Sequence, residues 1–155
     1  MAILKSSEGI FLNNYTGLNA NYGSKIISST RTWAANQSGI NMFQIYQNGA
    51  TSTRQVISIS LKWAAIRTSG SKTELPALHA SARASLNTNG TISYDSGWDW
   101  HSWGGNGILW PAIGMGGSSL FIGADNGQST GIIGSALITI CTLEWDKLVV
   151  VPFSD

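Results

Sequence analysis

Charge is what this chain has least of. Lys, Arg, Asp and Glu make up 11% of its 155 residues, with nine basic against eight acidic side chains and a formal net charge of +1. An ordinary soluble domain carries about 25%. The charges are scattered, and the first 24 residues hold a single basic one, Lys5. A nucleic-acid binder needs a basic stripe or arm to neutralise phosphates, so no nucleic-acid partner is expected. Cysteine is almost absent. Cys141 alone excludes an intramolecular disulfide, a CxxC redox pair and a cysteine-rich zinc site. Its apolar alternating surroundings predict a buried, inert thiol.

Other absences narrow the chemistry. The two histidines, His79 and His101, sit in unrelated contexts, and neither EF-hand nor His-x-x-x-His spacing occurs. Asp95, Asp99 and His101, or Asp125 with Asn126, could offer metal ligands, but as turn acids they read better as solvated, and no metal or cofactor is expected. There is no Gly-x-Ser-x-Gly elbow and no phosphate-cradling loop with its Lys. No apolar run reaches membrane-spanning length, so no membrane insertion is expected. The opening MAILKSSEGIF lacks the apolar stretch of a signal peptide. The expected setting is a virion surface or release from the cytoplasm by another route. The sequons at Asn14, Asn36 and Asn89 then count as chance matches.

What is present is 43% hydrophobic residues, eighteen glycines and many Ser, Thr and Asn. This suits one folded domain, 1–155, with an Asn/Gly/Tyr-rich stretch at 1–23 reading as an extended arm or edge strand. Strands are expected over Ser24–Thr30 and Ile40–Tyr46, the latter closed by Asn48-Gly49 as a hairpin turn. Over Thr53–Ala65, Ile57, Ile59, Leu61 and Trp63 fall on one face, and Ser58, Ser60 and Lys62 on the other. Residues 73–86 fit a strand by alternation and a helix by spacing, with the strand favoured. Asn87–Gly90 predicts a hairpin into Thr91–Tyr94. Further strands are expected at Ile108–Met115, Ser119–Ala124 and Ser135–Trp145. The apolar run Leu148–Phe153 reads as a central strand or one buried at a subunit interface. The fold class is therefore all-β, a single-domain antiparallel β-sandwich or jelly roll.

The densest chemistry lies in Tyr94–Pro111, YDSGWDWHSWGGNGILWP, which holds four of the seven tryptophans. Strand alternation would put Trp98 and Trp100 on one face, Asp99 and His101 on the other. A sugar has an apolar C–H face and a rim of hydroxyls. Aromatic faces beside directional polar groups are therefore what a saccharide site needs. The candidate ligand-binding residues are Trp98, Trp100, Trp103, Trp110, Asp95, Asp99, His101 and Asn106. The bland alternative is that these tryptophans cap the core or bury against another subunit.

The Gly/Ser/Asn-rich, Trp-punctuated pattern resembles phage fibre tips, other virion surface domains and small soluble lectins in style, with no shared motif and no residue roles to carry over. The leading expectation is a non-enzymatic, self-associating β-sandwich that binds a glycan or cell-surface receptor. A purely structural capsid, fibre or filament subunit is the second reading, and a small carbohydrate-active enzyme with no identifiable carboxylate pair the third.

Overall fold

The computed structural model describes residues 10–12, 23–68, 77–103, 109–127, 129–142 and 145–155. Their regular structure is antiparallel β, apart from one 3₁₀ turn at Trp145–Lys147. The strands are β1 (Ile10–Leu12), β2 (Gly23–Trp33), β3 (Ile40–Gln47), β4 (Gln55–Arg67) and β5 (Ala77–Leu86), then β6 (Ile92–Trp103), β7 (Leu109–Gly116), β8 (Ser119–Asn126), β9 (Ile132–Thr142) and β10 (Leu148–Pro152). They form a six-stranded sheet in the order β1-β2-β9-β4-β5-β6 and a four-stranded sheet in the order β10-β3-β8-β7. Two long-range pairings nest, β3 with β8 inside β2 with β9, while β4-β5-β6 and β7-β8 are local meanders.

Period-two patterning explains the two layers. Ile57, Ile59, Leu61 and Trp63 of β4 and Ala136, Ile138 and Ile140 of β9 are buried against Phe43 and Ile45 of β3 and Leu120 and Ile122 of β8. Of the segment at 73–86, the described residues form strand β5 (Ala77–Leu86), since Leu78, Ala80, Ala82, Ala84 and Leu86 all lie in the buried layer, and 73–76 lie outside the described residues. At the core centre the Trp33 and Trp63 rings lie 5.1 Å apart. Trp33 Nε1 donates to the Ala124 carbonyl at 2.9 Å, joining the two sheets. Gly134 leaves the space that the Trp63 indole fills, because a Cβ there would stand 2.2 Å from Nε1.

Three expectations are corrected. Asn48-Gly49 does not close a hairpin, because β3 and β4 belong to different sheets. Gly49 does take the positive φ expected of it (86°), but in a crossing between sheets. Gln47 fastens that crossing, donating to the carbonyls of Gly49 (2.8 Å) and Asn87 (2.7 Å). Cys141 is exposed and not buried. On β9 the inward positions are Ala136, Ile138, Ile140 and Thr142, so the thiol faces outward beside Ser24 Oγ at 3.1 Å. The apolar run near the C-terminus is not a central strand. As β10 it forms an edge of the smaller sheet, with Val149, Val150 and Val151 half-buried. The tail beyond it crosses to the other sheet, where Asp155 N donates to the Thr30 carbonyl (3.2 Å) and Thr32 N donates to Asp155 Oδ2 (2.6 Å).

Candidate functional site

Strand β6, which carries Trp98, Trp100 and Trp103, is an edge of the six-stranded sheet, and β7, which carries Trp110, is an edge of the other. The tryptophans therefore do not share one strand or one sheet. Their side chains, with that of His101, and the whole of Asn106 lie outside the described residues, so only their backbone places are given. Trp100 pairs with Ala80, His101 with His79, Trp103 with Ala77, and Trp110 with Asp125. The register shifts between Ser81 and Arg83, so that Gly97 and Trp98 together stand opposite Ala82.

The described acids divide clearly. Asp95 is held within the fold: Arg54 Nη2 lies 2.7 Å from its Oδ1, and the buried Ser85 hydroxyl donates to its Oδ2. Asp125 accepts from Gly39 N at 2.6 Å, and Asn126 donates to the carbonyls of Ala34 and Thr130 at 2.7 and 3.0 Å. Asp146 lies beside Lys147 and Asp155 beside Arg31. Asp99 is exposed, opposite Ser81 on β5, and has no such partner among the described residues. Beside Asp95, burial pushes the Tyr94 phenol above its ordinary value. No group of three or more His, Cys, Asp or Glu that could hold a metal occurs among the described residues.

A shaped surface of described residues lies next to β6, on the outer face of the larger sheet. It follows from register. One cross-strand row places Ser28, Leu137, Lys62 and His79 side by side on β2, β9, β4 and β5. Two residues along each strand, the next row is Thr30, Ser135, Ala64 and Ala77, and beyond it stand Thr32, Ile133 and Ile66. Small side chains between two rows of larger ones make a trough across the strands. Open depressions of about 440 Å³ and about 240 Å³ mark its two sides. Its path over β2, β9, β4, β5 and β6 is roughly 19 Å, taking four interstrand spacings of about 4.8 Å. At the β6 end it reaches the register positions of His101 and Trp103. His79 Nε2 lies 3.3 Å from Ser60 Oγ on the neighbouring strand.

Sequence reading missed this surface. The outward positions of β4 and β9 were legible as alternation, but no spacing rule reveals which outward residues become neighbours across four strands. Of the residues singled out from the sequence, the structure puts Asp99, His101 and Trp103 beside the trough. Asp95 belongs to a structural cluster, and Trp110 lies on the other sheet.

The geometry thus defines a two-layer antiparallel β protein with an open cross-strand trough on its larger sheet. Neither a family model nor a curated protein matches the chain. Among solved structures, it is similar to the tailspike protein of Acinetobacter baumannii phage AM24, with 8% identity, a TM-score of 0.47, and coverage of 78% of this chain and 26% of that one. It is also similar to the tailspike protein of Acinetobacter phage vB_ApiP_P1, with 11% identity, a TM-score of 0.41 and coverage of 92% and 26%. A third is tailspike protein gp49 of Acinetobacter baumannii bacteriophage Fri1, a capsular polysaccharide depolymerase, with 9% identity, a TM-score of 0.33 and coverage of 77% and 20%. The chain spans a quarter or less of the length of the last and about a quarter of the other two.

Proposed function

We propose that this chain is a non-enzymatic, self-associating β-sandwich of a phage or other virion surface that recognises a glycan along the outer face of its six-stranded sheet. The observation that carries this reading is the trough itself. It combines hydroxyls (Ser28, Thr30, Ser135), an imidazole, an ammonium group and exposed aliphatic walls, and on β6 it reaches the register position of Trp103. Sugars present this mixture of apolar C–H faces and rim hydroxyls. Among the described residues, Asp95, Asp125 and Asp155 are engaged by partners within the fold, which favours a binding role over glycoside cleavage; Glu8, Glu74 and Glu144 lie outside the described residues. Hydrolysis needs two opposed carboxylates.

Filling the trough tests the site. Ala64 is exposed on its floor, and tyrosine suits a strand. Ala64→Tyr should abolish retention on a glycan array while the melting temperature stays within a few degrees of wild type. Retention equal to wild type would remove the trough from the reading, and Trp98→Ala and Trp100→Ala would then locate binding on β6.

Self-association is supported by the other sheet. Its four strands contain one charged residue, Asp125. Across its outer face Val149 pairs with Tyr46 and Val151 with Gln44, which in turn pairs with Phe121. A half-apolar sheet face with a single carboxylate, Asp125, at one end of β8 is suited to meeting another copy.

A further inference from the structure

We infer that the occupant of the trough is an acidic saccharide chain laid across the strands, its carboxylate read by Lys62. This rests on the glycan reading and narrows it. The two walls differ chemically. One presents Leu137, Lys62 and His79, and the other Ile133 and Ile66, which are 40% and 46% exposed. No carboxylate lines either depression. Among the described residues Lys62 has no hydrogen-bond or ion-pair partner, so its ammonium group stands uncompensated over an apolar trough. Asp99, the nearest acid by register, lies opposite Ser81, a further step along the strands and outside the lining. In a chain with so little charge, one unpaired cation beside low-dielectric walls sets the local field and favours an anion. A sugar ring with its carboxylate toward Lys62 and its C–H face toward Ile66 and Ile133 satisfies both walls at once. A second copy docked here about a twofold axis would bring two uncompensated Lys62 side chains together, which like-charge repulsion opposes.

The experiment uses an array of uronic-acid-containing polysaccharides, each printed in native and in carboxyl-reduced form. It is probed with the wild-type chain, Lys62→Gln, Lys62→Arg and Ala64→Tyr. Wild type should retain the native forms and bind the carboxyl-reduced forms about tenfold more weakly, the loss expected of one charge-assisted contact. Lys62→Gln should lose about tenfold on the native forms only, and Lys62→Arg should keep most of the binding. Equal binding to both forms, or an unchanged Lys62→Gln, overturns the acidic ligand. The glycan reading survives that result if Ala64→Tyr still abolishes retention. No retention by wild type overturns both, and light scattering of Ala64→Tyr then shows whether another copy fills the trough.

Discussion

Asp95 illustrates how a residue that invites a functional reading can be spent on the fold. It lies at the start of the Trp-rich stretch, where an acid beside aromatic rings suggests a sugar-binding hydrogen bond. In the structure its carboxylate accepts from Ser85, which is fully buried, and pairs with Arg54, while Arg54 Nε also donates to Ser85 Oγ at 3.1 Å. Removing the carboxylate strands a buried hydroxyl without its acceptor. Asp95→Ala should therefore cost about 1–3 kcal/mol in urea denaturation. Arg54→Ala should cost about 1 kcal/mol or less, because the guanidinium is largely exposed and screened. Glycan binding by either variant should match wild type. A binding loss with unchanged stability would return Asp95 to the site.

At the scale of whole strands, legibility followed the period-two pattern and failed where pairing partners mattered. Ile57 to Trp63 and Ala136 to Thr142 declared their alternation, and both strands fold as that alternation requires. Yet alternation alone does not say which face is inward, and so Cys141 was misplaced. Nor does a turn dipeptide say whether the flanking strands pair, which is why Asn48-Gly49 became a crossing. The bulge opposite Ala82 and the trough between Ala64 and Ser135 exist only in register, which no local stretch encodes. The irregularity between β3 and β8 gives a test at this scale. Between Asn41 and Phe43 the register of β3 against β8 shifts, and the β3 backbone closes on Gly123. A Cβ at that glycine would stand 2.1 Å from the Ile40 carbonyl oxygen. Gly123→Ala must push strand from strand, and it should cost about 1–3 kcal/mol or more by urea denaturation. A variant as stable as wild type would mean that the irregularity relaxes freely.

For the whole molecule, the two sheets divide the work between their outer faces, and charge marks the division. The larger sheet carries Lys62, Arg83 and Asp99 on its exposed side, and the smaller one exposes Val149, Val151, Tyr46 and Phe121 without an ionisable carboxylate or ammonium group among them. Phe121 lies over Gly116, where a Cβ would meet its ring at 2.7 Å, so glycine on β7 lets the aromatic ring lie flat along this face. Burying the Val149, Val151, Tyr46 and Phe121 part of this face against another copy desolvates no charge, since Asp125 stands four residues further along β8, whereas burying the larger sheet would strand Lys62. Light scattering should accordingly give a mass that is a multiple of the 16.5 kDa chain. Introducing charge on the β10 side of this face, as Val149→Lys with Val151→Lys, should return the mass to that of one chain. Both positions are half-buried at a sheet edge, where a lysine stem can lie along apolar surface while its ammonium group reaches water. The melting temperature of the monomer itself should therefore fall little. If the trough works alone, the monomeric variant binds each glycan unit as the assembly does and loses only the avidity of many sites on one polymer. A wild-type chain that runs as a monomer would remove self-association and leave the trough as a single, independent binding site.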